Sequence, residues 1–187
     1  MARTLTVKSG GSAIKQGWHE ATIKKAEYGE YNDSKYIDVW FHEFPENLNM
    51  RVYETTDSKG NEFAVGSVFR FANAGITQVL DGPNGEKSVT IDDNPNLLRD
   101  RKLNVYLYPD PKNPKYNRVL KQPAPTVFEN DVESFTETDV KFWMEKAESY
   151  FIKYVKQTAP GTGSNTTVNL NNSVNMAQPT DTADLPF

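Results

Sequence analysis

The chain has 187 residues, 37% of them hydrophobic and 12% aromatic, and a formal net charge of −4. This suits one domain of ordinary size plus an appendage, with a modest core and rings left over for a surface. The lack of cysteine excludes disulfides and thiolate zinc sites, and two histidines, His19 and His42, leave little for a transition metal, so neither metal nor cofactor is expected.

No apolar run approaches the length of a membrane span, and Met1-Ala2-Arg3-Thr4 does not open a signal peptide. A cytoplasmic protein without membrane contact is expected. The net charge argues against a polyanionic partner, but it averages over unlike regions. Between Arg99 and Lys121 seven basic residues stand against two acids, whereas no Lys or Arg follows Thr158. Such segregation says more than the sum.

Residues 1–128 read as a mainly β domain. Short alternating runs span 18–26, 35–44, 49–54, 63–71, 102–108 and 117–121. Turn signals separate them at Asn32-Asp33-Ser34, Asp57-Ser58-Lys59-Gly60, Asp81-Gly82-Pro83-Asn84-Gly85 and Pro109-Asp110-Pro111. A helical turn or two is expected around 72–80. Five or six short strands with one helix fit an OB-fold-like small barrel, with a sandwich as the alternative.

Side chains alternate between the two faces of a strand. The aliphatic phase is assigned to the core: Ala21, Ile23; Ile37, Val39, Phe41; Met50, Val52; Leu103, Val105, Leu107. The opposite phase carries Lys24, Tyr36, Trp40, Arg51, Tyr53, Lys102, Tyr106 and Tyr108, together with Thr22, Asn104 and an opposing Asp38. Rings offer sequence-tolerant stacking to bases, and cations follow phosphates. Lys112, Lys115, Tyr116 and Arg118 follow in a Pro-rich loop that is expected to close over a bound single strand. Tyr106 and Tyr108 head the candidates, followed by Trp40 and Tyr53. The competing reading is that these rings simply pack.

Residues 129–157 hold a long amphipathic helix, from about 138 to 157. Thr136-x-x-Asp139 offers a capping-box start, and Val140, Trp143, Met144, Ala147, Tyr150, Phe151, Tyr154 and Val155 recur at helical spacing. This face either packs on the domain or makes a homodimer contact. Residues 158–187, rich in Asn, Thr, Ser, Gly and Pro, are expected to be disordered.

That polar linker ends in Asp184-Leu185-Pro186-Phe187. A pocket with an apolar floor and a basic rim would hold the Phe187 ring and a carboxylate together, with Pro186 lowering the ordering cost. The ending resembles the Asp-Ile-Pro-Phe tip of bacterial single-stranded-DNA-binding proteins, which join an OB-fold to a Gly/Pro/Asn/Gln-rich linker. The body looks more like the OB-fold binding proteins of phages and prophages. The resemblance covers the architecture and four tip residues. It implies a single-stranded-DNA-binding protein of phage replication, recombination or repair, whose Asp184, Leu185, Pro186 and Phe187 recruit host replication, recombination or repair proteins. With Asp181 and Asp184 in place of a run of acids, capture of Phe187 should outweigh charge.

No enzyme is expected. Asp92-Asp93 adjoins Asn94-Pro95-Asn96 and reads as a turn, and Gly161-Thr162-Gly163 lies in the linker rather than between strand and helix. No nucleophile motif is present. The second reading is an adaptor that binds no DNA and uses the tip to engage or compete for host proteins. A weaker third is a nuclease using scattered carboxylates.

Overall fold

The computed structural model describes residues 14–130 and 132–156. The chain opens on a meander: β1 (Gly17–Tyr31), β2 (Ser34–Phe41) and β3 (Met50–Tyr53). Asn32 and Asp33, at the tip of the first hairpin, have φ of 49° and 60°. Those left-handed values suit a two-residue turn whose twist matches the strands, and Asn and Asp tolerate them best after Gly. A helix, α1 (Ala64–Phe71), and a separate hairpin, β4 (Ile76–Asp81) with β5 (Lys87–Ile91), follow. The chain then returns to the main sheet as β6 (Lys102–Pro109) and β7 (Asn117–Val119) before α2 (Glu137–Tyr150).

Strand β1 organises the sheet because it serves two partners. Its first half pairs with β6, Gly17 opposite Leu107 and Thr22 opposite Lys102, and its second half pairs with β2. An irregularity between Ile23 and Lys25 marks the handover, the extra twist of a bulge. The strand order is β3-β2-β1-β6-β7, all antiparallel.

The expected small barrel does not close: β3 and β7 are the two edges of an open sheet. The physical reason is the brevity of β7. After Val119 the Leu120 N–H still donates to the Tyr106 carbonyl of β6, but Pro123 and Pro125 follow, which have no N–H for a ladder. A seam is left where a closing strand pair would stand.

The core phase is as the alternation requires. Ala21, Ile23, Ile37, Val39, Phe41, Met50, Val52, Leu103, Val105 and Leu107 are all buried, and Val65, Val68 and Phe69 of α1 close over them. Residues 63–71 are helical rather than extended. Phe63, Val65, Phe69 and Phe71 alternate, but Val65, Val68, Phe69 and Ala72 also fall on one helical stripe with Phe71 at its edge, and all five are buried. Glu62 starts this helix, its Oε1 accepting from the Val65 N–H at 2.8 Å and its Oε2 from the Gly66 N–H at 2.9 Å. Residues 76–80, expected to lie in a helical turn, belong to β4.

The C-terminal helix is shorter than expected. Fourteen residues of α2 begin on a capping box: the Asp139 N–H donates to Thr136 Oγ1, and the Thr136 N–H donates to Asp139 Oδ2. A single π turn, Phe151–Val155, then widens the spiral. Helix and turn lie across the domain. Trp143 meets Phe71 at 4.8 Å between centroids, Trp18 Nε1 donates to Glu148 Oε1 at 2.6 Å, and Phe151 covers β6. The wider turn slips the phase of the apolar stripe, so Tyr154 is 48% exposed. Among the described residues no helix is long and apolar enough to cross a membrane.

Candidate functional site

The open seam forms a groove of about 930 Å³ between the edge strands. One wall is β3, with Arg51 and Tyr53. The other is the hairpin of β6 and β7, with Tyr108, Lys115, Tyr116 and Arg118. Leu48, Val119 and Leu120 supply apolar side chains to it, and Lys121, Tyr150 and Val155 also line it. Six of the twelve sequence candidates for a strand-binding surface therefore meet in one place: Arg51, Tyr53, Tyr108, Lys115, Tyr116 and Arg118.

Each arginine is held by a carboxylate on its own wall. Arg51 donates from Nε to Asp38 Oδ1 at 2.8 Å and from Nη2 to Oδ2 at 2.7 Å, and its guanidinium lies 3.9 Å from the Tyr36 ring centroid. Tyr36 meets Tyr53 edge to face at 5.4 Å. The bond to Asp38 pushes the Arg51 pKa above its ordinary value. Asp38, expected to oppose an anion on this face, is a buried side chain spent on Arg51. Across the groove, Arg118 Nε donates to Asp110 Oδ2 at 2.7 Å. Asp110 also accepts from the Lys112 backbone N–H, and chiefly this bond, then the one from Arg118, holds its carboxyl below the usual range.

The remaining candidates lie elsewhere. Tyr36 sits behind Arg51. Lys112 is exposed in the loop between β6 and β7. Trp40 carries Lys25 Nζ 4.1 Å from its ring centroid and donates from Nε1 to the Glu46 carbonyl at 3.1 Å. Lys24 is paired with Glu46, and Lys102 with Glu20 at 2.7 Å. Tyr106 is wedged between Trp18 and Phe151, each ring 5.3 Å away. Tyr108 is half-buried, 5.1 Å from Phe151, and burial pushes its phenol pKa up. Packing thus takes much of the two tyrosines that head the sequence candidates, though Tyr108 still reaches the groove.

Two groove residues escape the strand-phase reasoning, Lys121 and Tyr150. Lys121 Nζ lies 5.5 Å from the Tyr150 ring centroid. Lys121 belongs to the basic run and Tyr150 to the helix stripe, so each carried a signal, but only the fold joins them. Neither Lys115 nor Lys121 has a carboxylate partner among the described residues. Lys121 also lines a smaller cavity of about 90 Å³ between α1 and α2, walled by Phe63, Phe71 and Trp143.

Asp92 and Asp93 lie in a turn: Asp92 Oδ1 accepts from the Asn94 N–H, and Asn94 Oδ1 from the Asn96 N–H. The tip residues Asp184, Leu185, Pro186 and Phe187 lie outside the described residues. No family model, curated protein or solved structure matches the chain. The groove sets π-faces beside cations, with apolar side chains between the walls.

Proposed function

We propose that the chain binds single-stranded DNA in the groove between β3 and β7, with little regard to sequence, in phage replication or recombination. One observation carries the reading: Tyr53, Tyr108, Tyr116 and Tyr150 converge there with Arg51, Lys115, Arg118 and Lys121. Every base has a π-face, so stacking on a ring is sequence-tolerant and contributes about 1–3 kcal/mol per base. The cations provide for the phosphates between.

The connectivity supports an OB-like reading of the sheet, a five-stranded and partly open one. OB-folds bind through the face of their second and third strands and the flanking loops. Arg51 and Tyr53 lie on β3, and Lys115 and Tyr116 in the loop before β7. The tip Asp184-Leu185-Pro186-Phe187 is proposed as a separate docking peptide for host replication, recombination or repair proteins, on its likeness to the bacterial tip.

Titration with oligo-dT at low and high salt tests the reading. The expected result is length-dependent binding with tyrosine quenching that weakens with salt. No binding at low salt would sink it and leave the adaptor reading. Removal of residues 184–187 should leave oligonucleotide affinity unchanged or raise it.

A further inference from the structure

We propose that Asp38 and Asp110 are positioning residues of the groove: each fixes one arginine so that its remaining N–H groups face the phosphates of a bound strand. The proposal rests on the single-strand reading above and specifies how that site meets its ligand. Two carboxylates this close to a polyanion's path look like a penalty. Their geometry points the other way.

A guanidinium carries five N–H donors in a rigid plane. Arg51 commits its Nε–H and one Nη2–H to Asp38, which sets the direction of that plane, while the Tyr36 ring beneath sets its tilt. The donors left over are shared between Tyr53, a further side-chain partner, and the groove, which the Arg51 side chain, 41% exposed, lines. Arg118 commits its Nε–H to Asp110 and keeps both terminal nitrogens. Asp110 is itself tied to the Lys112 N–H, so the anchor does not move with the arginine. Both carboxylates are well buried, 9% and 14% exposed, whereas Arg118 is 56% exposed. Asp38 lies behind Arg51, and Asp110 lines the groove beside Arg118 with its carboxylate turned to that arginine. The conformational freedom a flexible arginine would lose on binding is already lost on folding.

A second consequence follows from charge. Each arginine has a carboxylate partner, whereas Lys115 and Lys121 have none among the described residues. Neutralising the phosphates of a single strand releases their counterions, with a log–log salt slope of about −0.7 per phosphate neutralised. Two lysines and two preset arginines, each on a phosphate, give a slope of about −2.8, against about −1.4 if only the lysines reach phosphates.

The test is an oligo-dT titration across a salt series with the full chain, Asp38→Asn and Asp110→Asn. Near-isosteric amides remove the charge and keep the shape. Each variant should bind about threefold to tenfold more weakly at moderate salt, because its arginine must now be ordered on binding. Each should also flatten the slope by about 0.7, because an arginine no longer held in place neutralises one phosphate fewer. A purely structural role would weaken binding without moving the slope, and that result overturns the proposal. Tighter binding at every salt concentration also overturns it, since the acids would then act only as repulsive charges. Should Asp38→Asn fail to fold, Asp110→Asn in its surface loop decides. In the free protein, the Nε–H resonances of Arg51 and Arg118 should persist near neutral pH, and their loss to rapid exchange would count against preset arginines. Absence of oligo-dT binding by the unaltered chain is a different failure, that of the single-strand reading itself.

Discussion

The Tyr36 ring lies over Gly29, its direct partner across the β1–β2 ladder, so closely that a Cβ at Gly29 would overlap the ring. A glycine facing an aromatic in this way lets the ring lie down on the sheet. The same ring is the floor under the Arg51 guanidinium. One missing methyl group thus supports the geometry of a cation on another strand.

Gly29→Ala should therefore displace Tyr36 and loosen Arg51, although Gly29 does not line the groove. Oligo-dT affinity is expected to fall about twofold to fivefold, the worth of an exposed cation–π contact. Titration together with a thermal melt checks it. Unchanged affinity would mean that Arg51 does not depend on its ring.

Tyr116 and Tyr106 should separate binding from folding. Tyr116 is 60% exposed, so Tyr116→Ala should alter stability by no more than about 0.5 kcal/mol while weakening oligonucleotide binding by about 1–3 kcal/mol. Tyr106 is packed between Trp18 and Phe151, so Tyr106→Ala should cost about 2 kcal/mol of stability in a denaturant titration.

Phe151→Ala removes the ring that lies against both Tyr106 and Tyr108. Folding stability should drop by about 2 kcal/mol. The Tyr108 phenol, raised by burial, should titrate closer to the ordinary value once its cover is gone. Absorbance of tyrosinate against pH reports that shift.

The capping box carries a pH dependence of known sign. Hydrogen bonding to Thr136, chiefly from its side chain, holds the Asp139 pKa below its ordinary value. A carboxylate with a lowered folded-state pKa stabilises fully above the unfolded value, about 3.9, and that contribution is lost as pH falls through the folded value. Asp139→Ala should destabilise by about 1 kcal/mol at neutral pH. The gap to the unaltered chain should narrow below about pH 4, as urea titrations at several pH values would show.

Much of the sheet was legible because alternation is a strong signal where one face is buried. Ile37, Val39 and Phe41 announce a strand, and their phase names the inner face. The helix α2 was legible from Thr136 and Asp139 at its start, but its end was not, since a π turn has no sequence punctuation. Phe63 to Phe71 misled because a short apolar run satisfies both periods at once. Tyr106 misled for a different reason: phase says which face a ring is on and not what covers that face. The groove itself depends on β7 stopping after three residues, and on Tyr150 coming from a helix far along the chain. Both are facts of tertiary structure.

The seam that stops the sheet from closing also leaves two edge strands, and such edges invite pairing with strands of other chains. Each edge carries an arginine, Arg51 on β3 and Arg118 on β7, with Lys115 beside the latter. Charged side chains on an edge must lose water when a second copy adds a strand there, which disfavours that pairing. Apolar replacements of Arg51 and Arg118 together should therefore promote self-association as concentration rises, as light scattering would show.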